Sequence, residues 1–280
     1  MSSESSHFYT REGQAMHTQP TKSPGAKNPT RNTTIADARR LNLLPSVSGI
    51  VRMMSAPGLE RYKQNRIIEE CYKRPPIGPE TVREYSSYIM DVAERPTSDA
   101  ANFGTKVHKA IEDAIGGVMP KPGELVVFPS TGEETSTATI VENVLDLLSQ
   151  KGVNPTASET VLTHQAGYAG TTDLIGVRSG LTFLGDFKTK KTKPGAQIDV
   201  PESYCMQLAA YYQAKCDMEG LGEMPFTGPL ANVFISSTEP GRIEWHEWSP
   251  KELTNAWSAF RACFTLWKWS NNYDPQFTRA

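Results

Sequence analysis

The chain has 280 residues, 38% hydrophobic and 21% charged, with a formal net charge of −2. No run approaches the roughly 18 apolar residues of a membrane helix. Glycine (21) and proline (20) stand at ordinary levels, so membrane-spanning, collagen-like and wholly disordered classes are excluded. The length gives one or two domains and enough chain for a sizeable core.

Residues 1–34 are rich in Ser, Thr, Asn, Pro and Gly and nearly free of aliphatic side chains. They read as a flexible tail whose removal should leave the fold unchanged, and their opening stretch lacks the apolar segment of a secretory signal. Residues 41–74 read as helix in two pieces, broken around Pro57-Gly58. A helix over 80–94 follows, then one over 99–115 on a stripe of Ala100, Phe103, Val107, Ala110, Ile111 and Ala114. Ser98 or Asp99 would cap the latter and Gly116-Gly117 end it. Residues 134–151 form a further amphipathic helix.

The period then changes to two. Residues 159–164, 168–178 and 181–190 read as strands, with turns at Gly167 and Ser179-Gly180. Helix returns over 202–219, and strands at 230–237 and 242–248 flank a Glu239-Pro240-Gly241 turn. Ser249-Pro250-x-Glu252 opens a last helix with a capping residue, a first-turn proline and a capping-box glutamate. The order predicts an α/β chain with a central mixed sheet flanked by helices. Beyond the 1–34 tail, it organises 35–280 as one domain: a helical part at 41–95, a core at 99–248 and a C-terminal helix at 249–270.

Charge is distributed unevenly. Residues 51–74 carry six Lys or Arg against three Glu, and residues 80–159 carry thirteen acids against six bases. Arg178, Lys188, Lys190, Lys191 and Lys193 face one acid, Asp186, within 178–193. Such patches can hold a polyanion locally although the chain as a whole is close to neutral. Cys71, Cys205, Cys216 and Cys263 include no C-x-x-C pair, which argues against a zinc ribbon or finger. They read as reduced thiols of a cytosolic protein.

The chemistry gathers on the strands. Asp186 and Lys188 share one strand face. A hairpin symmetric about Ser179-Gly180 sets Asp173 opposite Asp186, since 173 + 186 equals 179 + 180. Two neighbouring carboxylates repel and call for a positive partner. A hard divalent cation such as magnesium or manganese suits them, and Lys188 beside it suits developing negative charge. His108 and Glu112 share a face of the 99–115 helix, with Gly104 a turn earlier to permit close approach. On the 202–219 helix, Tyr204, Gln207, Leu208, Tyr211 and Lys215 share a face suited to hydrogen bonds with phosphate or base.

GTKVHKAIE at 104–112, GYAGTTDLIGV at 167–177, GDFKTKK at 185–191 and QLAAYYQA at 207–214 occur in this order, with LPSVSGIV at 44–51 ahead of them. Over roughly residues 44–215 the chain resembles the RecB-like, phage-type exonuclease branch of the PD-(D/E)XK nuclease superfamily. The resemblance implies the PD-(D/E)XK nuclease core and a Mg2+- or Mn2+-dependent deoxyribonuclease. By that resemblance Asp173 and Asp186 are metal ligands, joined by His108 and the Phe187 carbonyl. Lys188 assists the attacking water, and Glu159 matches an extra upstream acid. Gln207 and Tyr211 match the motif that positions DNA, and the stretch through Thr189, Lys190, Lys191 and Lys193 holds the DNA backbone. Certain relatives carry a four-cysteine iron–sulfur cluster with three closely spaced cysteines. This chain lacks that spacing, and no iron–sulfur cluster is expected. There is also no P-loop.

The expected function is metal-dependent exonucleolytic hydrolysis of DNA in phage-type replication, recombination or repair, in a bacterial host cytoplasm. Single- or double-stranded ends would be the substrate, and a single-strand-binding or recombination protein, or further copies of the chain, would be partners. No membrane partner is expected. A sequence- or structure-specific endonuclease of the same superfamily is the alternative, and a catalytically idle DNA-binding scaffold is the second alternative.

Overall fold

The computed structural model describes residues 7–21, 28–54 and 57–278. Three short strands, β1 (Phe8–Tyr9), β2 (Thr18–Pro20) and β3 (Thr30–Asn32), precede α1 (Ile35–Leu41). Then come β4 (Leu44–Pro45), α2 (Val47–Val51), α3 (Pro57–Lys73) and the long α4 (Val82–Ile115). A small ribbon, β5 (Leu125–Val127) with β6 (Glu134–Ser136), leads into α5 (Thr137–Gln150). The strands β7 (Asn154–His164), β8 (Tyr168–Arg178) and β9 (Leu181–Lys190) follow. α6 (Glu202–Met218), β10 (Leu230–Ser236), β11 (Ile243–Glu247) and α7 (Pro250–Asn271) complete the order.

The central sheet runs β11-β10-β9-β8-β7. β9 and β10 are parallel, joined through α6, and the other neighbours are antiparallel. Successive side chains of a strand point to opposite faces, so alternate residues feed two cores. Leu162, Ile175, Leu184 and Leu230 pack with α2, α6 and α7. Leu174, Phe183, Phe187, Ala231 and Val233 pack with α4 and α5. The mixed α/β sandwich anticipated from the sequence is therefore the observed architecture.

The Ser179-Gly180 turn sets the β8–β9 register. Both residues have positive φ, 52° and 79°, the left-handed geometry of a two-residue turn that matches strand twist. The pairs run from Arg178↔Leu181 to Leu174↔Gly185.

Besides the first helical piece of 41–74, which is replaced by β4 and the short α2 with α3 starting at Pro57 itself, three expectations change in the structure. The helices expected at 80–94 and 99–115 are one helix. Its cap is Thr81, in a capping box with Glu84, and Pro96 lies inside it. Ser98 and Asp99 do not cap, because the buried stripe of Ile89 and Ala93 continues into Phe103, Val107 and Ile111 without a change of phase. The β5–β6 ribbon, not anticipated from the sequence, covers the α4–α5 core with Val126.

The third change falls on the segment expected to be a tail. β1 pairs with β4, burying Phe8 (2% exposed) and Tyr9 (4%). Asp37 binds Arg31 through two hydrogen bonds, of 2.6 and 2.9 Å, while also closing the α1 capping box with Thr34. Residues 1–6 and 22–27 lie outside the described residues. All four cysteines are free, and Cys205, Cys216 and Cys263 are buried.

Candidate active site on the central sheet

The sheet registers line up five polar residues across all five strands. Leu174↔Gly185 is the last recorded β8–β9 pair, so Asp173 and Asp186 are next in that ladder. Asn232 is the parallel partner of Asp186, and His246 is the antiparallel partner of Asn232. On the outer strand, Ser158↔Leu174 and Thr160↔Thr172 bracket Glu159 opposite Asp173. Glu159 has φ 47° inside a strand. That left-handed conformation is costly for a residue with a Cβ and is kept where the surroundings demand it.

Asp186 is 3% exposed, and both its carboxylate oxygens have partners. Its Oδ1 and Oδ2 lie 2.8 and 2.7 Å from Nζ of Lys188, and Oδ2 also accepts from Nδ2 of Asn232 at 2.8 Å. Asp173 Oδ2 accepts from the Phe187 backbone N–H at 2.7 Å, while the Phe187 side chain packs in the core. Nδ1 of His108, on α4, lies 3.7 Å from the same Asp173 oxygen. That separation is electrostatic contact rather than a hydrogen bond. Gly104 allows α4 its approach, since a Cβ there would stand 2.8 Å from Oγ1 of Thr189.

Two carboxylates, Asp173 and Asp186, thus share a desolvated site with one ammonium, with the more exposed Glu159 at its edge. Burial, then Asp186, pushes the Asp173 carboxyl well above the usual carboxylate range, against the pull of Lys188 and the Phe187 N–H. Burial, then Glu112, raises the Glu159 carboxyl, with Asp186 adding to it and Lys109 opposing. Burial works against the Lys188 ammonium, but Asp186 and Asp173 outweigh it and hold lysine above its ordinary value. Burial, then Lys188, lowers the His108 imidazole, with Asp186 opposing, so the ring is biased toward the neutral, ligand-competent form.

α6 closes the site from one side. Nζ of Lys188 lies 5.2 Å from the centroid of the Tyr204 ring. Tyr211, 6% exposed, has its hydroxyl raised well above its ordinary value by burial and then by Asp186 and Asp173. Gln207 lies between them on the same helix face, with a buried Oε1 that finds no hydrogen-bond partner among the described residues.

His108, Glu159, Asp173, Asp186, Lys188 and Tyr211 are therefore gathered, with the Phe187 backbone among them. The basic stretch is not gathered with them. Lys190 turns to Asp199, and Lys191 and Lys193 are exposed beyond the strand end. Lys215 pairs with Glu219 rather than with the site.

Sequence reasoning missed Asn232, Trp248 and Tyr9. Asn232 had a signal: one amide inside the apolar run LANVFIS, where a buried polar group must find a partner. Trp248 Nε1 donates to its Oδ1 at 2.8 Å. Tyr9 had none. Its hydroxyl bonds Oγ1 of Thr171 at 3.1 Å, two residues before Asp173 on β8, from a segment without strand patterning.

Among the described residues, no group of three or more His, Cys, Asp or Glu side chains is drawn tightly enough together to hold an ion. The donor chemistry nevertheless suits a hard divalent cation. It offers carboxyl groups that resist ionising side by side without a cation to share, and a neutral-leaning imidazole.

No protein-family model matches the sequence, and no curated protein matches it. Among solved structures, similarity is found to SSO0001, with 14% identity over 74% of this chain and 86% of that one, at a TM-score of 0.28. Similarity is also found to an alkaline exonuclease, LHK-Exo, from Laribacter hongkongensis. There the identity is 12% over 61% of this chain and 81% of that one, at a TM-score of 0.30. Likenesses at these scores carry no argument about what the chain does, which has to come from its own site.

Proposed function

We propose that the chain is a metal-dependent deoxyribonuclease, acting on DNA ends in phage-type replication, recombination or repair. The observation that carries this reading is the Asp173–Asp186–Lys188 constellation on two paired strands, with Glu159 and His108 beside it and Tyr211 against it. Asp173 and Asp186 would hold a magnesium or manganese ion, with His108 and the Phe187 carbonyl as further donors. Such an ion, when bound, supplies Lewis-acid polarisation of a phosphate and a more acidic water.

The chain's own groups account for the rest. Lys188, held charged between two carboxylates, neutralises charge developing on a phosphoryl oxygen and orients the attacking water. Tyr204 and Tyr211 wall the lysine and the carboxylates on the α6 side. Gln207 presents an amide whose buried oxygen has no partner among the described residues, suited to a donor on the nucleic acid or on the attacking water. Hydrolysis consumes one water, breaks one P–O bond and leaves a phosphate and a hydroxyl. Lys191 and Lys193, exposed beyond the strand end, suit phosphate contacts, which carry no sequence information, and this favours an end-directed enzyme over a sequence-specific one.

The test is cleavage of end-labelled linear single- and double-stranded DNA beside a closed circle. It is run with magnesium, manganese or chelator, using wild type, Asp186→Ala and Lys188→Ala. Metal-dependent loss of linear DNA only, abolished in both variants, is the expected result. Discrete fragments from the circle would make the chain an endonuclease. Retained binding without cleavage in any metal would make it a scaffold.

A further inference from the structure

Asp186 is held from two directions. Lys188 reaches it along its own strand, and Asn232 reaches it from the neighbouring parallel strand, donating from Nδ2 to Oδ2 at 2.8 Å. The amide's other end accepts from the Trp248 indole N–H, also at 2.8 Å. Asn232 is fully buried, Asp186 is 3% exposed and Trp248 is 7% exposed.

An asparagine amide is close to symmetric in shape but not in polarity. Rotating it by half a turn would aim its carbonyl oxygen at the Asp186 carboxylate and its NH2 at the indole N–H. Both contacts would then be unfavourable, acceptor on acceptor and donor on donor. The indole is a donor only, so it specifies which end of the amide faces Asp186. Trp248 is itself fixed. Its backbone N–H bonds the Leu230 carbonyl at 3.0 Å, and the His246 ring packs edge-on against it at 4.3 Å between centroids. His246 in turn is the cross-strand partner of Asn232.

We propose that Asn232 is a positioning residue for the nuclease reaction, and that Trp248 sets its polarity. This inference rests on the nuclease reading of the site. Asn232 occupies one lone pair of Oδ2 and, with Lys188 across both oxygens, pins the carboxylate plane, which fixes the direction in which Oδ1 presents its free lone pair. Groups that orient metal-binding carboxylates in this way typically affect metal affinity or activity by 10–100-fold. A packing role alone would not require a donor-only partner on the far side of the amide.

The experiment uses the full chain. Mn2+ binding is measured by titration calorimetry without DNA, and metal-dependent cleavage of linear DNA is measured per folded molecule. The variants are Asn232→Leu, Trp248→Phe and the double substitution, each with its melting temperature. Expected are a fall of about 10–100-fold in Mn2+ affinity for Asn232→Leu and a smaller fall for Trp248→Phe. The double variant should be no worse than Asn232→Leu alone, because the indole acts only through the amide. Should Asn232→Leu fail to fold, Trp248→Phe, which keeps a ring in place, carries the test alone through its loss of Mn2+ affinity.

Lower melting temperatures with wild-type Mn2+ affinity and cleavage would overturn the inference while leaving the nuclease reading intact. Additive losses in the double variant would remove Trp248 from the arrangement and overturn the proposal as stated. Wild-type protein that neither binds Mn2+ nor cleaves DNA would overturn the nuclease reading, and this inference with it.

Discussion

At Gly170, β8 packs directly against α6 and α2. A Cβ at that position would stand 2.6 Å from Cε1 of Tyr211 and 3.2 Å from Cγ2 of Val47. Tyr211 is 6% exposed and Val47 fully buried, so neither can simply swing away. Gly170→Ala should therefore cost about 2 kcal/mol, the usual scale of overpacking, and displace the Tyr211 ring from the carboxylates. A urea midpoint checks the first effect and the cleavage rate the second. A variant with wild-type values for both would show that α6 can shift at no cost. At this scale the sequence was informative where a residue's neighbour follows from period and turn. Asp173 and Asp186 could be placed opposite one another because a two-residue turn leaves a hairpin one register. Asn232 could be marked as out of character in an apolar strand, but its partners could not be named. They come from a parallel crossover and an outer strand whose registers no local turn fixes.

Whole elements were legible where burial imposes a period and illegible where backbone pairing alone decides. The three long strands and the α6 and α7 helices announce themselves by alternation or stripe. β1 has two residues, too few to alternate, and its burial of Phe8 and Tyr9 depends on finding Leu44-Pro45 some 35 positions on. The described residues of the segment read as a tail, 7–21 and 28–34, are thus part of the fold. Phe8→Ala should cost about 3 kcal/mol, and deleting residues 1–21 should lower the melting temperature markedly, the reverse of the outcome expected for a tail. An unchanged melting temperature after the deletion would show that β1 adds nothing to the core. The anchor of this segment has a pH signature. The Asp37 carboxyl is held well below the usual carboxylate range, first by Arg31 and then by the Thr34 backbone and hydroxyl. A depressed folded-state pKa contributes stability that is present above the unfolded value, near 4, and is lost as pH falls below it. Asp37→Asn should accordingly cost about 2 kcal/mol at pH 7. The gap from wild type should narrow steadily below pH 4, followed by urea unfolding across the acid range. A gap that stays constant to pH 2 would mean that Asp37 contributes nothing as an ion.

On the scale of the whole molecule, 29 basic and 31 acidic residues leave no net attraction for a polyanion. Binding to DNA, if the nuclease reading holds, must come from local charge next to the site. Lys188 is unavailable for it, being bound to Asp186, and Lys190 is turned to Asp199. Lys191 and Lys193 remain, both exposed and both just past the strand that carries Asp186 and Lys188. Each phosphate contact contributes a slope of about −0.9 to log K against log salt on duplex DNA. Replacing both lysines by alanine should thus flatten the slope by about 2 and weaken binding on all sequences alike. Lys188→Ala should abolish cleavage with the slope nearly intact, because its charge is already matched inside the protein. The two variants separate the group that works on the phosphate being cut from those that hold its neighbours. If Lys188→Ala flattens the salt dependence as strongly as the Lys191→Ala/Lys193→Ala pair, that division is wrong, and the lysine between the carboxylates is itself a DNA-backbone contact.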